Sequence, residues 1–131
     1  MSWVEVFAVF VVSHLAGDFI LQTDNQARHK YGGLRRDPVK RRALLGHVAV
    51  YALCFLPAGI WIAIDLGAGA AVGLVALVAV PHLVQDDGRL LSAYMARVKR
   101  ASAGPGTLLF TAVDQSFHMV ALFLTALLAA S

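Results

Sequence analysis

Ser13-His14-Leu15-Ala16-Gly17-Asp18-Phe19-Ile20-Leu21-Gln22-Thr23-Asp24 sets a histidine and two acids at the end of an otherwise apolar run. On an α-helix His14 and Asp18 stand four residues apart and leave one face a turn apart, and Gln22 extends that face by another turn. Charge in such a run is expensive. An ionisable side chain at the centre of a bilayer costs about 2.5–3.5 kcal/mol on insertion scales, so it must be paired, hydrated or bound to an ion. The run reads as a membrane helix that carries chemistry.

Composition points the same way. Of 131 residues, 59% are hydrophobic and 15% charged, and the mean hydropathy of +0.70 lies beyond that of ordinary soluble domains. The expected class is an integral membrane protein of one domain. A single cysteine, Cys54, excludes an intrachain disulfide framework and a thiolate metal cluster. A net charge of +3 would suit nucleic acid, but the placement of the charges decides otherwise. All 11 Lys and Arg fall in two segments, one from Arg28 to Arg42 and one from Arg89 to Arg100. Basic segments between apolar runs obey the positive-inside rule and face the anionic cytoplasmic leaflet, so membrane lipid is the expected partner. They carry no aromatic platform beyond Tyr31 and Tyr94, which argues against nucleic acid. The expected location is a plasma or inner membrane, with both basic loops cytoplasmic and both termini outside.

The predicted fold is all-α: a four-helix membrane bundle of two tandem helical hairpins, with spans at about residues 3–21, 43–64, 68–85 and 107–130, each near the length that crosses a hydrocarbon core of about 30 Å. No basic residue precedes the first span and no small-x-small cleavage site follows it, so it reads as a retained helix and not a signal peptide. Residues 22–42 read as a polar loop with Gly32-Gly33 and Asp37-Pro38 as turn formers. Pro57 is expected to bend the second span and Pro81 to kink the third, freeing a carbonyl. Gly69 and Gly73 have the spacing of close helix packing, within the chain or in a homodimer. Residues 89–100 alternate apolar and basic side chains as a short amphipathic helix lying on the cytoplasmic membrane surface. The motif His14-Leu15-x-x-Asp18 recurs as His82-Leu83-x-x-Asp86, which marks a weak internal repeat.

Each span contributes one histidine: His14, His47, His82 and His118. Spans one and three place His before Asp, and span four, running the opposite way, places Asp114 before His118. That order puts the imidazoles deeper and the carboxylates shallower. Such a set supplies the N and O donors that zinc, manganese or iron accept, with acids to orient the rings. The candidate metal ligands are therefore His14, Asp18, His47, His82, Asp86, Asp114 and His118. Asp18 and Asp114 are the candidate catalytic carboxylates, and Gln22, Asp24, Asp87 and Gln115 are supporting residues. Asp86 and Asp87 point about 100° apart on a helix, so one of them, Asp86, joins the cluster. Interhelical hydrogen bonding alone, a proton or cation relay, and a bis-histidine haem remain open beside the metal reading.

These residues resemble those of a family of small bacterial and phage membrane proteins, the domain-of-unknown-function family 3307. Its first-helix pattern, His-Leu-x-x-Asp-Phe-x-Leu-Gln-x-Asp, is met by His14 to Asp24. A second-helix His before an apolar run with Tyr is met by His47 to Tyr51, a third-helix His-x-x-x-Asp by His82 to Asp86, and a fourth-helix Asp-Gln-x-x-His by Asp114 to His118. The chain departs from the pattern at Asp87-Gly88, where an apolar continuation is expected. The resemblance implies the membrane class and the importance of these residues, without a reaction. A looser analogy is to membrane-bound metal-dependent hydrolases, which also cluster His and Asp at helix ends.

The leading expectation is thus a metal-dependent hydrolase acting on a lipid-linked or phosphate-bearing substrate at the cytoplasmic leaflet. A small proton- or cation-coupled transporter, and a metal-free acid catalyst acting on an isoprenoid, are the competing expectations. Four short helices enclose little volume, so a homodimer would complete a large pocket.

Overall fold

A computed structural model describes residues 1–131. The chain is entirely helical: α1 (Trp3–Leu15) continues through a π-helical turn (Ala16–Ile20), followed by α2 (Asp24–His29), α3 (Pro38–Cys54), α4 (Leu56–Leu66), α5 (Ala68–Asp86), α6 (Arg89–Arg97) and α7 (Leu108–Ala129). Three helices are long and apolar enough to cross a membrane, and α3 with α4 makes a fourth if that pair, bent by 48°, is one span. The bend falls at Phe55, and Pro57 sits in the first turn of α4, where its missing N–H costs no hydrogen bond. Pro81 lies within α5, which runs on past it to Asp86.

Between the first and second apolar runs the structure is more helical than the loop expected over residues 22–42. Thr23 caps α2, accepting from the Gln26 N–H while the Gln26 side chain accepts from the Thr23 N–H, a reciprocal capping box. Asp37 and Pro38, expected to stop a helix, instead start one: the Asp37 carboxylate accepts from the N–H groups of Val39 and Lys40, and Pro38 takes the first helical position.

One buried stripe on each long helix explains where the polar side chains go. It runs Val6, Phe10, His14 and Asp18 along α1; Leu44, His47 and Tyr51 along α3; Leu74, Val78, His82 and Asp86 along α5; and Asp114, His118, Leu122 and Ala126 along α7. Spacing near four residues keeps each stripe on the inward face. The apolar halves of these stripes meet Phe55, Ala58 and Ile62 in the main core. The ionisable halves meet next to it. A smaller core of Leu91, Met95 and Phe110 seats α6 against α7. Only 31 of 131 residues are buried, and Val12, Ile20, Ile64, Val72, Val120 and Leu124 are among many large apolar side chains that face outward.

Close helix approach occurs at a glycine other than those expected. A β-carbon on Gly69 or Gly73 would meet nothing within 4 Å, whereas one on Gly17 would lie 2.8 Å from Tyr51 Cδ2 and 3.1 Å from Tyr51 Cα. Gly17 lets the π turn of α1 lie against α3. Tyr51 is thereby pressed into the polar cluster.

Candidate metal centre

Asp18 and Asp86 are the acids at the middle of the cluster, each 7% exposed or less. His47 Nε2 lies 3.0 Å from Asp18 Oδ1 and 2.8 Å from Asp86 Oδ2. His82 Nε2 lies 3.1 Å from Asp86 Oδ2, 3.6 Å from Asp18 Oδ1 and 3.0 Å from His47 Nε2. One N–H on His47 cannot serve two carboxylates and a second imidazole together. The spacing has a simpler reading. Four N and O ligands at about 2.0–2.1 Å in a tetrahedron stand roughly 3.3 Å apart, and these contacts run from 2.8 to 3.6 Å. The four donor atoms of Asp18, His47, His82 and Asp86 form a buried group able to hold a metal ion.

A second layer orients the first. Gln115 Oε1 accepts from His14 Nε2 at 2.9 Å, which makes Nδ1 of a neutral His14 the acceptor for the Tyr51 hydroxyl at 3.1 Å. Gln115 Nε2 then donates to Asp18 Oδ2 at 2.8 Å, leaving Oδ1 to face His47 and His82. His14, counted among the ligands from spacing alone, therefore stands behind Asp18 with both ring nitrogens engaged. His14 Nε2 still lies 3.8 Å from Asp18 Oδ2, one turn away on the same face. Gln22 Nε2 lies against the His47 ring, 3.1 Å from Nδ1 and 3.0 Å from Nε2. The Tyr51 ring covers the His82 ring in a parallel stack.

Lys30 is the residue that sequence reading placed elsewhere. It belongs by sequence to the first basic segment, yet it is 5% exposed, with Nζ 2.9 Å from Asp86 Oδ2 and 4.0 Å from Asp18 Oδ1. Burial works to lower its pKa, but the charges of Asp86 and Asp18 outweigh it and hold the ammonium above the ordinary lysine range. The loop is turned inward by long-range bonds, Gly32 N–H to the Asp87 carbonyl at 2.8 Å and Leu34 N–H to the Asp87 carboxylate at 2.8 Å. Gly88, at φ +73°, lets Tyr31 pack onto its Cα, where a β-carbon would lie 2.5 Å from the ring. Burial raises the Tyr31 pKa.

The remaining predicted residues separate cleanly. Asp86 enters the cluster and Asp87 does not: Asp87 pairs with Arg89 and clamps the loop. Asp114 and His118 form a second group with Asp86. Asp24 is exposed and pairs with Arg28 on its own helix, one turn away. A cavity of about 480 Å³ reaches this region, lined by Asp18, Gln22, Lys30, Tyr31, Asp114 and Gln115, with the exposed Arg28 at its rim. A smaller apolar cavity of about 270 Å³, lined by Val84, Leu90, Leu91, Tyr94 and Phe117, also ends at Asp114.

A family model described as a protein of unknown function, DUF3307, matches residues 6–131. The chain belongs to the DUF3307 family. No curated protein and no solved structure matches it. Membership covers nearly the whole length, so the helices that hold the cluster all belong to the family's shared region.

Proposed function

We propose that this DUF3307 protein is a membrane-embedded, metal-dependent hydrolase whose substrate is a lipid-linked or phosphate-bearing amphiphile. The observation that carries the reading is the tetrahedron-sized set of donor atoms from Asp18, His47, His82 and Asp86, buried beside a polar cavity whose lining includes Lys30 and Arg28 as well as Asp18 and Asp114. A divalent ion held there would supply Lewis-acid charge and a water acidified towards neutrality. Lys30 and Arg28 would attract an anionic group, and Gln22 and Gln115 would fix the ligands. Two cavities, one polar and one apolar, converge on Asp114. That junction suits a molecule with a charged head and a hydrocarbon chain.

In this reading the four spans are α1 with its π turn, the bent α3–α4 pair, α5 and α7, packed as a bundle of two hairpins. The two basic segments face the cytoplasm, and both termini lie outside. The metal is zinc, manganese or iron, all of which accept imidazole and carboxylate donors.

The competing readings meet specific obstacles. An ion or proton crossing the bundle would have to pass the apolar core of Phe10, Phe55, Leu74 and Leu122 that backs the cluster. A bis-histidine haem needs a slot for its macrocycle between two imidazole nitrogens, and His47 and His82 Nε2 are 3.0 Å apart. The test is elemental analysis of purified protein, together with release of inorganic phosphate from a polyprenyl diphosphate in detergent micelles, with and without chelator. Bound metal and chelator-sensitive release are expected. Protein that neither carries nor takes up zinc, manganese or iron overturns the reading. Release that survives chelation would favour metal-free acid catalysis, and proton flux in liposomes without hydrolysis would favour transport.

A further inference from the structure

Asp86 offers its two oxygens to different neighbours. Oδ2 meets His47, His82 and Lys30, while Oδ1 has no hydrogen-bond partner although it is fully buried. Opposite Oδ1, at 3.6 Å, stands His118 Nε2, which is also buried and also without a partner. The proton on His118 can be located. Its Nδ1 lies 2.9 Å from the Asp114 backbone carbonyl, which only accepts, so Nδ1 carries the hydrogen and Nε2 of the neutral ring presents a lone pair. Two lone pairs then face each other across a gap too long for a hydrogen bond. A buried pair of acceptors with no proton between them calls for a cation.

Asp114 completes the surroundings. Its Oδ2 lies 3.7 Å from His118 Nδ1, and its carboxylate joins Asp86 and His118 in a group of donor atoms within 4.8 Å of one another, able to share one ion. Fixing a ring by a bond from the far nitrogen to a backbone carbonyl is the usual way a ligating histidine is held. Charge agrees as well: the carboxylates of Asp18, Asp86 and Asp114 against the Lys30 ammonium leave two negative charges around the cluster. A single divalent ion would cancel them. A second would leave two positive charges, which a phosphate dianion matches.

We infer that the centre is dinuclear, with a second divalent ion held by Asp86 Oδ1, His118 Nε2 and Asp114, and with Asp86 as the carboxylate that bridges the two ions. The inference rests on the metal-dependent reading and adds to it. Two ions sharing one carboxylate would supply positive charge to the attacking and leaving oxygens of an in-line displacement at phosphorus. Assigning Asp114 to the second ion leaves the deprotonation of water to the ions' own charge.

The test uses the full-length protein in detergent and manganese alone as the probe. Equilibrium dialysis is expected to give about two ions per chain, and the manganese-loaded protein should show an exchange-coupled electron paramagnetic resonance spectrum. His118→Gln and Asp114→Asn, each checked for native helicity, should retain one ion with an uncoupled spectrum. One ion in the wild type, unchanged in both variants, overturns the dinuclear assignment and leaves the Asp18, His47, His82 and Asp86 site standing. Two ions without coupling also overturn it, since they would not share Asp86. No bound ion at all overturns this inference and the reading beneath it.

Discussion

The Tyr51 ring lies flat on the His82 imidazole, with ring centroids 3.5 Å apart and planes within 3° of parallel, while its hydroxyl reaches back to His14 at 3.1 Å. One side chain thus fixes a candidate ligand by its face and the layer behind Asp18 by its edge. The two roles can be separated. Tyr51→Phe keeps the stack and removes the hydroxyl, leaving a buried His14 nitrogen without its partner, at a cost of about 1–3 kcal/mol. Thermal unfolding in detergent should show that loss with metal stoichiometry unchanged. Tyr51→Ala should also weaken metal binding, by releasing His82. Equal metal affinity in the two variants would remove the stack from the account.

Gly17 and Gly73 should respond in opposite ways to the same substitution. Gly17→Ala places a methyl group within 2.8 Å of Tyr51 Cδ2 and close to its backbone, and overpacking of this kind costs about 1–3 kcal/mol. Gly73→Ala meets nothing within 4 Å inside the chain. Its melting temperature should be unchanged or slightly raised, because alanine is the better helix former. If Gly73→Ala alters the oligomeric state by size-exclusion chromatography with light scattering, that face packs between copies.

Neighbouring acids provide a contrast at one helix end. Asp86→Asn removes a carboxylate that faces His47, His82 and Lys30 and should abolish metal uptake. Asp87→Asn changes the acceptor of the Leu34 N–H and the partner of Arg89. It should keep metal stoichiometry while lowering stability by about 1 kcal/mol. Metal analysis of the two proteins side by side decides the point.

Lys30 stands in for part of the positive charge that the cluster requires. Lys30→Met leaves Asp86 and Asp18 short of a cation, and breaking a buried ion pair from one side costs about 3–5 kcal/mol. A divalent ion should restore more stability to this variant than to the wild type, since the ion replaces the missing ammonium. Melting curves with and without manganese measure both differences, and equal stabilisation of the two proteins would contradict the assigned role of Lys30.

Chelation should destabilise the metal-loaded protein without unfolding it. A ligand at 100 times its dissociation constant adds about 2.7 kcal/mol of stability. The apolar core, which excludes the cluster residues other than Tyr51, should hold the helices in place after the metal is removed. Circular dichroism is expected to keep its helical amplitude while the melting temperature falls.

The local spacings that sequence could show were the i, i+4 pairs, and they brought Asp18, His82, Asp86, Asp114 and His118 into one region. The 100° step between neighbouring helical residues also distinguishes Asp86, which joins the donor group, from Asp87, which pairs with Arg89. What sequence spacing could not show depends on contacts far along the chain. His14 is held behind Asp18 by Gln115, 101 residues away. Lys30 is drawn inward by the Gly32 to Asp87 bond, a contact invisible in a segment whose arginines read together as facing the cytoplasmic leaflet. The place of Tyr51 on His82 could not be read either, because a stack on an imidazole has no linear signature. The caps of α2 and α3 were legible: Thr23-x-x-Gln26 is a capping-box pattern, and Asp37-Pro38 is a helix start as readily as a stop.

The π turn at Ala16–Ile20 makes the first helix intolerant of changes in length. It accommodates one surplus residue, and closing it to an ordinary α turn by a single deletion would swing everything on one side by about 100° relative to the other. Asp18 would then leave the cluster while the hydropathy of the segment stayed the same. Substitutions along the outward face of this helix are spread over a wide apolar surface, but its residue count between Phe10 and Gln22 is fixed by geometry, so insertions and deletions there are the changes that this chain can least absorb.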